Sequence, residues 1–292
     1  MDENNSNTFT IRPTGKTLSL KAGQQEPGSI TVINQADSKD SFTFQASVVP
    51  YGVEGEGYEA NLVTATEQTQ LANWITFENP KGTLAPGESV EVNYTINVPK
   101  DAPGGGQYAA IIISSDSNTD ADSSSVVDYV YEMSCILYSE IQGKTVHSGS
   151  IINHSAPAFS TSPKISTMAK LENNGNIHEY AKILLTVTDF FTGEDIFTNK
   201  EAEAPTTEII MPNTQRQLIN NIDDLPSLGI ITVKESISYL GESSTIEQRV
   251  IICPIWFMSL VALTILSIIV AIVHRIIRRH RKHSKDKSEI HL

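Results

Sequence analysis

The chain has 292 residues, 39% of them hydrophobic and 19% charged, with 17 glycines, 13 prolines and a formal net charge of −13. That profile excludes a collagen, a coiled coil, a disulfide-dense mini-protein and a wholly disordered chain, and the length suits two or three domains. The charge is uneven: from His274 onward seven Lys or Arg stand against Asp286 and Glu289, which gives +5, whereas the first 273 residues hold the other 14 basic and 32 acidic side chains, which gives −18. An acidic body repels polyanions, so no nucleic acid is expected as a partner.

Residues 1–8 read as a disordered N-terminus. From residue 9 to 143 apolar and polar residues alternate in short runs. Phe42, Phe44, Ala46 and Val48 alternate with Thr43, Gln45 and Ser47, and Val90, Val92, Tyr94, Ile96 and Val98 alternate with Glu91, Asn93, Thr95 and Asn97. Strict period two is the mark of a half-buried strand. Further strands are expected at Thr17–Leu20, Ser29–Asn34, Trp74–Phe77, Gln107–Ser114 and Val126–Ser139. Turn clusters separate them at Lys21-Ala22-Gly23, Ala36–Asp40, Asn79-Pro80-Lys81-Gly82, Ala85-Pro86-Gly87 and Asp101–Gly106. Roughly seven short strands with such turns between them predict an immunoglobulin-like β-sandwich.

Residues 144–253 repeat the pattern. Strands are expected at Ser148–His154, Ile165–Leu171, Tyr180–Asp189, Thr206–Met211, Ile230–Tyr239 and Ile246–Ile252, so this segment reads as a second sandwich. No amphipathic helix is recognisable before residue 254.

Residues 254–274 read as a transmembrane helix. Ile255–Val273 is nineteen residues without a charge, about 28 Å as a helix against a hydrocarbon core of roughly 30 Å. Trp256 and Phe257 sit where an interfacial aromatic anchor belongs, and Pro254 is tolerated at the first turn. Arg275, Arg278 and Arg279 open a basic tail, residues 275–292, whose charge places it on the cytoplasmic side and residues 1–253 outside. Met1-Asp2-Glu3-Asn4 has neither the basic nor the apolar region of an export signal, so a signal removed before Met1 is expected; the alternative is a tail-anchored protein facing the cytosol. The two cysteines, Cys135 and Cys253, are few for a eukaryotic ectodomain and suit an exported bacterial protein that folds without disulfides.

A search for chemistry finds no catalytic residues, no metal site and no cofactor. His147, His154 and His178 lack metal-ligand spacing, and neither an H-E-x-x-H nor a G-x-S-x-G motif occurs. The tract from Asp116 to Asp122 spaces oxygen ligands as calcium loops do, but lacks the glycine and glutamate of an EF-hand and reads as a polar hairpin tip. Leu225-Pro226-Ser227-Leu228-Gly229 is similar to a sortase signal with Leu228 in place of threonine, and reads as a turn.

Several segments carry a resemblance. They are Pro50-Tyr51-Gly52-Val53-Glu54-Gly55-Glu56-Gly57-Tyr58, Leu84–Glu88, Val98–Tyr108 with its Gly104-Gly105-Gly106, Leu171–Asn176, and Met211-Pro212-Asn213-Thr214. In order and architecture the chain resembles the WxL-interacting surface proteins of Gram-positive bacteria, which have two immunoglobulin-like domains, one membrane helix and a short basic tail. Trp74-Ile75-Thr76 is not itself a W-x-L motif, so the chain would be the anchor and not the ligand. The resemblance implies a non-catalytic role, with the first domain on peptidoglycan and the second on a partner protein.

The expected partners are therefore cell-wall glycan or a secreted wall protein, together with membrane lipid around the helix. Stacking aromatics for a glycan would be Tyr51 and Tyr58, with Tyr108 next; Trp74 and Tyr94 read as core. The expected fold class is all-β, two tandem immunoglobulin-like sandwiches followed by a single transmembrane helix. The runner-up function is a receptor or adhesin subunit of a membrane complex, and a cell-wall hydrolase or transferase ranks below both.

Overall fold

The computed structural model describes residues 9–38, 40–55, 57–116, 131–198 and 206–289, with side chains given as far as residue 278. The expectations for residues 1–8, for residues 117–122 of the acidic tract and for the side chain of Arg279 fall outside the described residues.

The first unit runs through β1 (Phe9–Arg12), β2 (Gly15–Leu20), β3 (Gln25–Asn34), β4 (Phe42–Pro50), a small hairpin of β5 (Gly52–Glu54) and β6 (Glu59–Asn61), the helical turn α1 (Leu71–Trp74), β7 (Ile75–Phe77), β8 (Lys81–Leu84), β9 (Ser89–Asn97), β10 (Gly105–Asp116) and β11 (Tyr131–Ile141). They form two sheets in the orders β1-β3-β9-β7 and β2-β11-β10-β4-β8. Pro13, which has no N–H to give to a ladder, marks the point where the N-terminal strand leaves one sheet for the other. Thus β1 pairs antiparallel with β3, and β2 pairs parallel with β11.

Alternation decides which residues face inward. Ile30, Val32, Val92, Tyr94 and Ile96 from one sheet meet Phe44, Ala46, Ile111, Ile113 and Leu137 from the other, all buried. Of the five alternating residues in β9 and just after it, Val90 alone is exposed. Cys135 is buried in this core as a free thiol, and burial pushes it up to about 11, which keeps it unreactive.

The second unit comprises β12 (Gly149–Ser155), β13 (Phe159–Ser160), β14 (Ile165–Asn173), β15 (Glu179–Asp189), β16 (Asp195–Thr198), β17 (Thr206–Ile210), β18 (Thr214–Ile222), β19 (Gly229–Tyr239) and β20 (Glu242–Ile252). One sheet has the order β12-β14-β18; the other has β13-β20-β19-β15-β16, with β17 also on β15. Chain and sheet order together make this a second sandwich, so the part before residue 254 is all-β.

Its core is not continuous. Ile165, Leu185, Val187, Ile231, Val233 and Val250 form one apolar cluster, and Ala169, Leu171, Ile183, Leu218, Ile237 and Tyr239 form another. Between them lies a polar layer built from the intervening inward positions: Thr167 on β14, Asn220 on β18 and Glu235 on β19. Glu235 is fully buried and accepts hydrogen bonds from Asn220 Nδ2 (2.5 Å) and His154 Nε2 (3.2 Å), while His154 Nδ1 meets Ser244 Oγ at 3.0 Å. A carboxyl group in such a place is tolerable only with its partners in position.

After Ile252 only Cys253 and Pro254 precede α2 (Ile255–Glu289), whose first turn hydrogen-bonds to the Pro254 carbonyl. Ile255–Arg278 is long and apolar enough to cross a membrane. The helix does not stop at 274: it runs fifteen residues further to Glu289, because Arg, Lys, Ile and His propagate it and no glycine or proline interrupts it. Trp256 and Phe257, Arg275 and Arg278 flank the apolar stretch at its two ends.

Removing His154 strands the Glu235 carboxyl. His154→Ala is therefore expected to lower stability by about 3–5 kcal/mol, and the paired change His154→Leu/Glu235→Leu by less. Chemical denaturation of the purified chain in detergent measures both; a double variant as unstable as the single one would contradict a network held by mutual satisfaction.

Candidate functional site

The three tyrosines singled out above come together, but not on an open surface. Tyr108 points from β10 out of the first sandwich toward the second. Its Oη accepts the backbone N–H of His178 at 2.8 Å and lies 3.1 Å from His178 Nδ1. His178 Nε2 in turn lies 3.1 Å from Tyr180 Oη. Either neutral tautomer serves all three contacts: Tyr108 donates to Nδ1 while Nε2–H donates to Tyr180, or Nδ1–H donates to Tyr108 while Tyr180 donates to Nε2. Burial holds the His178 imidazole below its ordinary pKa and pushes the Tyr108 and Tyr138 phenols well above theirs.

Tyr138 completes an aromatic stack, edge-on to Tyr51 at 5.8 Å and to Tyr108 at 6.1 Å, and 5.5 Å from the His178 ring. Around it the outward face of the β10–β11 sheet, which in an isolated sandwich would meet water, is covered. Ala110 and Ile112 are buried there together with Met211 of the second unit, and Ile209 packs against them. The result is a third core, shared between the two sandwiches.

Polar bonds pin the same joint. Asn176 accepts the Gly106 N–H on its backbone carbonyl (2.7 Å), accepts the Val146 N–H on Oδ1 (2.7 Å), and donates from Nδ2 to the Gly104 and Lys144 carbonyls. Gly105 must be glycine here: its φ is +121°, and a Cβ would lie 2.7–2.8 Å from Asn176. Tyr58, at the tip of the β5–β6 hairpin, reaches across as well. Its Oη accepts the Met211 N–H and lies 3.1 Å from Thr214 Oγ1, and Arg216 covers its ring with the guanidinium 4.7 Å from the centroid.

Tyr51 and Tyr108 are thus buried, and one face of Tyr58 is occupied by Arg216, so the rings lack the open faces that sugar stacking uses. The segments that carried the family resemblance, apart from Leu84–Glu88, all supply residues to this joint. Sequence reading missed His178, Tyr138 and Arg216.

Beside the joint is a cavity of about 410 Å³, lined by Val53, Glu54 and Tyr58 of the first unit and by Lys170, Gln215 and Gln217 of the second. A second one, about 300 Å³, opens along the same strand past Arg216, Leu218, Ile219 and Asn220. Both follow β18, which among the described residues pairs with β14 alone, leaving the other edge of a nine-residue strand unpaired. Arg216, held by Glu208 at 2.7 Å, points into the sandwich from this edge, a device that keeps an open strand from indiscriminate pairing.

The line-up of Ser244, His154 and Glu235 has the order of a hydroxyl–imidazole–carboxylate relay. The His154 and Glu235 side chains are 4% and 0% exposed, so burial makes it a structural network, closed to substrate at the imidazole. Among the described residues no group of three or more His, Cys, Asp or Glu could hold a metal ion.

The lowered pKa of His178 has a signed consequence. The unfolded chain binds the proton more readily than the folded one, so this contribution to stability is complete above about pH 6.5 and is lost as the pH falls. Thermal unfolding between about pH 7.5 and about pH 5, which bracket the ordinary histidine pKa of about 6.5, is expected to show a steeper decline for the wild type than for His178→Phe. Parallel profiles would contradict the assignment.

No protein-family model matches the chain, and no curated protein is similar to it. Among solved structures, similar chains include one from a chaperone–tip adhesin complex of CFA/I fimbriae, at 13% identity over 82% of this chain and 98% of that one (TM-score 0.39). The class 5 fimbriae chaperone CfaA is 14% identical over 84% of this chain and 99% of its own (TM-score 0.39). One from the CsuC-CsuE pre-assembly complex of Acinetobacter baumannii is 16% identical over 82% and 98% (TM-score 0.37). The fold class itself rests on the strand order given above.

Proposed function

We propose that the chain is a non-catalytic cell-surface protein, held in the membrane by α2, that takes an extended segment of a protein partner along the free edge of β18. The observation that carries this reading is that edge: nine residues with one ladder unpaired, bordered by two cavities and by the first unit's β5–β6 hairpin. An extended peptide can add to such an edge by main-chain hydrogen bonds and place alternate side chains in the flanking hollows. Ile219, 52% exposed, offers the apolar contact. Orientation follows from charge: the +5 segment from His274 onward stays inside, and the −18 portion before it lies outside.

A secreted wall protein, the partner class implied by the resemblance to WxL-interacting surface proteins, suits this edge. The covered rings of Tyr51, Tyr58 and Tyr108 favour it over wall glycan, because sugar recognition by stacking uses an open aromatic face.

The detergent-solubilised full chain is expected to co-sediment with purified cell walls that retain their proteins, and to lose that retention when the walls are stripped of protein. Ile219→Lys, which places a charge on the edge, is expected to weaken retention about tenfold or more, roughly 1.4 kcal/mol. Undiminished binding to protein-free walls would contradict the protein reading and favour glycan; absence of binding to either preparation would overturn both.

A further inference from the structure

The two ends of the second sandwich differ. One end is sealed by the first sandwich. At the other end the loops after β15, before β19 and around β13 surround the place where β20 passes into α2. Register fixes their neighbourhood: Gly229 lies opposite Ile252, Ile230 and Phe159 both lie opposite Ile251, and the Phe190 N–H donates to the Ile230 carbonyl at 3.1 Å.

This end is apolar and uncovered. Phe191, at the tip of the β15–β16 turn, is 75% exposed, and Phe159, Phe190, Leu228 and Ile251 are each more than a third exposed. Phe197, the remaining exposed phenylalanine among the described residues, stands on β16 opposite Val187, near the same turn. Phe190 and Phe191 pack edge to face at 5.2 Å, and Arg249 lies 4.7 Å over the Phe190 ring. Five large apolar residues gathered at one end call for a covering surface.

We infer that this end is a foot that rests in the interfacial layer of the bilayer, with Phe190 and Phe191 buried among the lipid headgroups. The inference depends on α2 spanning the membrane. Chain continuity names the occupant. With two residues between Ile252 and Ile255, the strand ends cannot stand far from the start of the apolar helix, whose Trp256 and Phe257 belong to the same layer. Aromatic rings partition favourably there, and Arg249 can hold its head among the phosphates while its stem lies on Phe190.

Charge narrows the lipid. Asp189, Glu194, Asp195, Asp223 and Asp224 lie in the same loops, with Lys164 and Arg249 as the nearby cations, so the foot gains nothing from an anionic surface. The contact is hydrophobic, and zwitterionic lipid suffices. It fixes the tilt of both sandwiches, because a shared core and the Tyr108–His178 bonds join the second to the first.

The test uses the full chain in zwitterionic nanodiscs, in a Cys253→Ser background where Cys135 is buried. An environment-sensitive fluorophore is placed in turn at Thr192→Cys beside the foot, at Ile265→Cys within the helix and at Val63→Cys on the first sandwich. Nitroxide-bearing lipids should quench the Ile265 and Thr192 sites severalfold more than the Val63 site, and Phe190→Ser/Phe191→Ser should abolish the excess at Thr192. Quenching at Ile265 with none at Thr192 overturns the foot and leaves the span intact. Loss of quenching at Ile265 overturns the membrane span and the foot with it. Quenching at Thr192 only after anionic lipid is added contradicts the hydrophobic contact.

Discussion

The phenol of Tyr108 leaves the first sandwich and ends on the backbone and ring of His178 in the second, and what the two sandwiches can do together follows from that reach. A buried phenol whose oxygen bonds both a backbone N–H and a ring nitrogen has little freedom to move without orphaning a partner, which costs about 1–3 kcal/mol per group. Around it, Asn176 ties the Gly104–Gly106 turn to the linker, and Met211 and Ile209 cover the outer face of the β10–β11 sheet. Each sandwich therefore contributes a surface that would be unfavourable alone.

The frame gives the other features their positions. The β5–β6 hairpin can flank β18 only because Tyr58 is held against Met211, Thr214 and Arg216. The cavity of about 410 Å³ exists between units that the joint keeps in register. In the second sandwich a polar layer divides the core, where Asn220, Glu235 and His154 are hydrogen-bonded beside Thr167, and Asn220 brings β18 into that network from the strand that carries the free edge. A buried polar network of this kind favours one register over its neighbours, since a slip would leave Glu235 without partners.

Much of the fold was legible in local pattern. β4 and β9 alternate cleanly, β15 and β19 keep most of that alternation, β10 shows as a continuous apolar run from Tyr108 to Ile113, and the apolar run before the basic tail stands out by length and charge. β18 was invisible, because Arg216 and Asn220 occupy inward positions that a hydropathy pattern expects to be apolar; Glu208 and Glu235, which satisfy them, are contributed by β17 and β19. The four residues of α1 are too few to show a helical period, so Trp74 read as part of a strand although its burial was foreseen. β8 was hidden by Asn79-Pro80, and the continuation of α2 by the loss of apolar character after Val273. The aromatic residues of the site were recognisable as a set, but their roles were not: Tyr51 packs on Tyr138 of its own sandwich, and Tyr108 is covered through His178 of the second, a contact between positions seventy residues apart in sequence.

A joint built on Tyr108 and His178 should hold the two sandwiches as one rigid body. Distances between spin labels at Glu91→Cys on the first sandwich and Thr245→Cys on the second, in a Cys253→Ser chain, test it directly by double electron–electron resonance. The account predicts a single narrow distribution that broadens when Tyr108→Phe removes the bridging hydroxyl; a broad or multimodal distribution in the chain with Tyr108 intact would contradict it.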